Sequence, residues 1–183
     1  MTDRMEASIL KQIRNSGARK AASIPVSAIR FSLDFRAMCE GNACGMYGKS
    51  WMCPPHIGPA ERLISDVKAY RSALVYQTVS PLEDSFDIEG MLKAGRLHNQ
   101  LAKSVQAYVK SLTDEPFLHL GAGGCRLCAR CAILDNAPCR FPGDALGSLE
   151  AYCIDVTQLA RASGLNYING ANTVTYFGAL FIL

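Results

Sequence analysis

Cys125, Cys128 and Cys131 stand three residues apart, and Cys139 follows after seven intervening residues. Two residues between successive cysteines let thiolates of one tight loop converge on a single metal centre. Three such cysteines with a fourth ahead of a proline follow the ligand logic of a cubane iron–sulfur cluster. The match is partial: the bacterial ferredoxin run places proline directly after its last cysteine, and here Pro142 comes three residues after Cys139. Zinc sites usually pair their cysteines two and two. Three in succession therefore favour iron–sulfur over zinc.

A second group of thiols lies upstream. Residues 39–59 read C-E-G-N-A-C-G-M-Y-G-K-S-W-M-C-P-P-H-I-G-P and hold Cys39, Cys44 and Cys53. Four glycines and three prolines exclude regular structure here. A loop of about 20 residues inside a compact domain is usually functional, and a metal would supply the order its backbone lacks. His56 follows Cys53 after two residues and is a candidate fourth ligand, against the ordinary alternative of a loop histidine without metal. Trp51 and Tyr47 can shield a centre from water or pack the loop on the core, and packing is the commoner role. Lys49 and Ser50 are the other polar residues of the loop, and such residues are more often structural or solvated.

Two fully ligated clusters need about eight thiolates, and the chain has eight cysteines. Cys153, however, falls inside an expected helix and suits a buried structural thiol. That leaves four ligands in the second block and three in the first. A three-thiolate site keeps a position open for His56, a cysteine of the other block, water or a substrate, and an open position distinguishes a catalytic centre from a relay. The blocks can also exchange ligands, as in two-cluster ferredoxins.

The whole chain sets the context. Its 183 residues fit one domain with at most a small appendage: an N-terminal helical segment over 1–24 and a metal-binding domain over 25–183. Nearly half the residues are apolar, enough for a sizeable core. The net charge of +3 calls for neither nucleic acid nor an anionic membrane surface. No apolar run of about 18 residues predicts a transmembrane helix, and residues 1–10 lack the apolar core of a secretory signal. The expected setting is cytoplasmic, where reduced cysteines are metal ligands rather than disulfides. Their clustering points the same way, because buried structural thiols would be scattered.

The elements that must position these cysteines can be read from periodicity. Helices are expected over 6–14, 59–70, 86–112 and 148–163. The longest is expected to be capped by Ser85, with Met91, Ala94, Leu97, Leu101, Val105, Tyr108 and Leu112 facing inward. His98 on that helix and His119 further on are read as ordinary structural histidines. Strands are expected over 29–36, where apolar and polar residues alternate, and over 73–79, 117–120, 165–168 and 173–182. The last is apolar on both faces and belongs at the centre of the sheet. Gly121, Gly123 and Gly124 let the backbone approach something bulky, but a phosphate loop would need a lysine and a hydroxyl that this run lacks. Together the elements predict an α/β fold, with α+β as the variant. It is a single sandwich of a mixed four- to five-stranded sheet with helices, its two cysteine-rich loops leaving strand ends.

Both blocks together resemble a domain-of-unknown-function family of predicted metal-binding, cysteine-rich proteins from anaerobic bacteria and archaea. The resemblance rests on Cys39-x4-Cys44-x2-Tyr47-Gly48-Lys49-Ser50-Trp51-x-Cys53-Pro54-Pro55. It rests equally on Cys125-x2-Cys128-x2-Cys131-x7-Cys139-x2-Pro142, followed by Ser148-x-Glu150-Ala151 and Ile154-Asp155-Val156. It covers most of the chain after Ile24. It implies metal binding, with iron–sulfur as the expected form, and no particular reaction. Glycine is common in the family where Cys153 stands, which argues against a ligand role for that thiol.

Three functions follow as expectations. The first is an iron–sulfur protein of [4Fe-4S] type, with one or two clusters, exchanging electrons with a partner redox protein. The second is a zinc-ordered interaction module with a four-cysteine site and a site of three cysteines plus His56. The third is an enzyme using the open position of the three-cysteine centre.

Overall fold

The computed structural model describes residues 3–183; residues 1 and 2 of the expected N-terminal segment lie outside the described residues. Helix α1 (Asp3–Asn15) leads into strand β1 (Lys20–Pro25), and helix α2 (Asp34–Glu40) precedes the first cysteine loop. Helix α3 (Ala60–Lys68), strand β2 (Ser72–Pro81), helix α4 (Ile88–Leu112) and strand β3 (Leu118–Gly121) follow. After the second cysteine loop come strand β4 (Gly147–Ser148), helix α5 (Val156–Ala162) and strand β5 (Thr173–Ile182).

The five strands form one mixed sheet in the order β1-β2-β5-β3-β4, antiparallel except for the parallel β3–β4 pair. The protein is thus an α/β sandwich, and β5 lies at the middle of the sheet, where its run of apolar residues requires burial on both faces. Alternation along the strands divides the core. Ala73, Val75, Phe177, Ala179 and Phe181 meet Val67 of α3 and Leu159 of α5 on one face. Leu74, Tyr76, Leu180 and Ile182 meet Ile9 and Ile13 of α1 and Leu101, Val105 and Val109 of α4 on the other. Residues 1–24 thus include a helix that is part of the main core and most of an edge strand.

Several elements differ from expectation for local reasons. Residues 29–36 are not a strand: Phe31 makes one isolated bridge to Ile154, and α2 begins at Asp34. The Ser32 hydroxyl accepts from the Asp34 amide (3.2 Å) and donates to its carboxylate (2.9 Å), and this local turn prevails over the alternating pattern. Cys39 consequently sits on α2 rather than in the irregular loop. The expected helix over 148–163 is split. Ser148 pairs in β4, residues Glu150–Tyr152 form a 3-10 turn, and α5 restarts at its own cap, Asp155, which accepts from the Gln158 amide at 3.0 Å. No strand forms over 165–168; Tyr167 stacks on Phe177 and Ile168 is exposed.

On α4 the cap is Asp87, not Ser85: its carboxylate accepts from the amides of Gly90 (2.8 Å) and Glu83 (3.1 Å). Those bonds hold its carboxyl below the usual range. The buried face is also rotated. It includes His98, Ala102, Gln106 and Val109, while Leu97 and Leu112 are exposed. Apolar periodicity finds Ala94, Leu101 and Val105 of this face but misses His98 and Gln106, which are polar side chains with partners on other elements. His98 Nδ1 bonds the Thr78 hydroxyl (2.9 Å), and Gln106 Nε2 donates to the Gly143 carbonyl (2.9 Å). His119 is likewise buried and structural, bonded through Nε2 to the Tyr76 hydroxyl at 2.8 Å.

Candidate metal centre

The second cysteine loop leaves β3 through its glycines and returns at β4, so the parallel pairing of Gly121 with Ser148 anchors both of its ends. Inside the loop, Ala132–Asp135 make a 3-10 turn that ends at Asn136 in a left-handed conformation (φ 51°). Arg130 bonds the Asp135 carboxylate (2.9 Å), and Arg140 donates to the Arg130 carbonyl (3.0 Å). These bonds fold the chain back on itself and bring its thiols to one side. Cys125, Cys128, Cys131 and Cys139 all line one cavity. The interior is narrow, about 20 Å³.

The opposite wall of that cavity is Ser50, Trp51 and Met52 of the first loop. Trp51 Nε1 donates to the Ala137 carbonyl at 3.0 Å, locking one loop to the other. A side chain at Gly124 would lie 3.5 Å from Cys53 Sγ, so the glycine run passes within van der Waals reach of the first block. Within the first loop, the Gly48 amide closes a bond to the Pro54 carbonyl (2.8 Å), and the φ of +70° at Gly48 is one that L side chains rarely adopt. The Asn42 side chain accepts from the Tyr47 amide (3.0 Å). Every cysteine is a free thiol.

The two blocks are close enough for their thiols to act on one another. Burial raises the Cys53 thiol; the Ser50 hydroxyl opposes this, and the charges of Cys44, Cys39 and Cys125 add to the rise. Cys39 is raised by burial and then by Cys44 and Glu150, with Arg36 acting against them. Cys125 is raised by burial against hydrogen bonds from the Leu127 and Leu146 amides. Cys131 is the exception. Burial pushes its thiol up, but bonds from the Ile133 and Trp51 amides, the Ser50 hydroxyl and the Ala132 amide together prevail and hold it below its ordinary value. Ser50, almost fully buried, therefore stands between Cys53 of one block and Cys131 of the other. Sequence reasoning undervalued it, because a serine in a glycine-rich loop carries no signal of burial.

Two candidates remain, and neither lines the four-thiol cavity. His56 Nε2 donates to the Gly48 carbonyl at 3.3 Å and its ring meets Trp51 edge-on. Cys153 is buried at φ +60°, left-handed, just after the 3-10 turn rather than inside a helix. Among the described residues, no three Cys, His, Asp or Glu side chains are gathered tightly enough to hold a single metal ion. Also among them, no helix is long and apolar enough to cross a membrane.

A family model described as "Predicted metal-binding protein (DUF2284)" matches residues 22–182, and the chain belongs to that family. No curated protein and no solved structure matches the chain.

Proposed function

With membership of a metal-binding family as the premise, we propose that Cys125, Cys128, Cys131 and Cys139 hold an iron–sulfur cluster of [4Fe-4S] type. Cys39, Cys44 and Cys53 serve a second centre, with His56 as its candidate fourth ligand, and the protein exchanges electrons with a partner redox protein. The observation that carries this reading is the single cavity lined by all four thiols of the second block. A zinc ion would draw its ligands to within about 2.0–2.3 Å of one point. A cubane instead takes one thiolate at each of several irons, which suits thiols spread around a cavity wall. Such a cluster supplies one-electron transfer when bound.

The chain's own residues prepare the site. Ser50 and the amides of Trp51, Ala132 and Ile133 favour the Cys131 thiolate, the form that ligates metal. Trp51, fixed to Ala137, covers one wall against water. Amide and hydroxyl donors aimed at ligating sulfurs also raise a cluster's reduction potential.

The test is anaerobic purification or reconstitution with iron and sulfide, followed by metal and sulfide counts and visible and EPR spectra. Broad visible absorption with matching iron and sulfide is the expected result. Stoichiometric zinc without sulfide would replace the proposal with the zinc-ordered interaction module.

A further inference from the structure

A second cavity lies on the other side of Cys125. Helix α4 contributes Asn99 and Lys103, one turn apart, and the second cysteine loop contributes its glycines, Arg126 and Leu127. Leu146 closes the apolar wall, and Cys125 itself borders the space. The interior measures about 50 Å³, room for a few waters or one oxyanion head group.

The charges facing this cavity are Lys103, Arg126 and Asp144. Asp144 is already neutralised by Lys110 at 2.7 Å. Lys103 and Arg126 form no ion pair with any described residue. The amides of Ala122, Gly123 and Gly124 likewise have no acceptor among the described residues. Gly123 takes φ +69° with open space where a side chain would lie. A left-handed residue among unbonded amides is the kind of backbone that can form an anion-binding concavity. The lysine that this glycine run lacks in sequence is supplied in space by α4.

We propose that this cavity binds the oxyanion end of a small organic molecule, phosphate or carboxylate, between Lys103, Arg126 and the amides of Ala122–Gly124, its body passing Leu127 and Leu146 beside Cys125. Two unpaired cations and free donors supply the recognition, and the apolar wall selects an organic ligand over a bare ion. The site is built from residues other than the thiols, so it stands whichever metal the cysteines hold. Its position beside Cys125 would bring the ligand's body next to the metal centre.

The experiment is anaerobic calorimetric titration of the full-length, metal-loaded protein with inorganic phosphate, phenyl phosphate and benzoate, with metal counts on every sample. One of the two organic probes should bind more tightly than inorganic phosphate, and which one does identifies the oxyanion. Lys103→Ala and Arg126→Ala should each weaken that probe about tenfold with metal content unchanged, and Lys103→Arg should keep most of the affinity. Should Arg126→Ala disturb the adjoining thiol, the Lys103 pair decides. No binding of either organic probe at millimolar concentration would overturn the proposal. So would equal affinity in Lys103→Ala and wild type, which would place the binding on surface charge elsewhere.

Discussion

The two cysteine loops differ in how they are tied to the sheet. The second is anchored at both ends by the β3–β4 pair, is folded back by its arginines and has all four thiols on one cavity. The first runs from the end of α2 to the start of α3, is held by internal turns, and leaves Cys44 exposed. The lesson is that one loop carries its own geometry and the other borrows it. Ser50 and Trp51 of the first loop are both held against the second.

The sharpest way to break this comparison is to remove one thiol from each loop. Cys128→Ser should abolish the four-thiol centre, with loss of most of its iron and visible absorption after anaerobic reconstitution. Cys44→Ser should leave that centre intact and reduce only the remaining iron. If Cys44→Ser empties both, the loops share one centre and the contrast collapses.

Trp51→Ala tests the borrowing. It removes the bond to Ala137 and opens one wall of the cavity, and should cost about 2 kcal/mol of unfolding free energy, read from denaturant unfolding of the metal-loaded protein. It should also speed loss of metal to a chelator. A denaturant and chelation profile matching wild type would show that each loop stands alone.

Acidity separates the thiols next. Cys131 is held below its ordinary value, while Cys125, Cys53 and Cys39 are raised. In the metal-free protein, alkylation followed by mass spectrometry over rising pH should modify Cys131 first and Cys125, Cys53 and Cys39 later. Because the thiolates bind metal and protons compete for them, metal affinity should fall as pH drops. Equal onset at Cys131 and Cys125 would remove the role given to Ser50 and the Trp51 amide.

The smallest effect is expected at Cys153→Gly. The left-handed φ of +60° suits glycine, while the lost side chain leaves a small gap in the core. These oppose one another, so stability should change by less than about 1 kcal/mol with metal content unchanged. Loss of metal would recast Cys153 as a ligand.

Much of the fold was legible from the sequence. The central place of β5 follows from an apolar run on both faces, and α1, α3 and α4 follow from helical periodicity close to their observed bounds. The errors share a cause. At Ser32 and Asp155, side chains bonding nearby backbone redirected the chain, and a hydrophobic pattern does not register such bonds. On α4 the buried face includes His98 and Gln106, which only their partners across the interior explain.

By itself the sequence determined the thiol inventory and its grouping into four and three along the chain, because spacing within a short segment is a local property of the chain. It also determined that the loops would be irregular, through their glycines and prolines. Only the tertiary structure decided that the two loops face each other. Trp51 and Ala137 are 86 residues apart, and no periodicity encodes a contact that long-range packing creates. The same holds for Lys103, which local spacing leaves on a solvated helix face and which the fold places beside the glycine run.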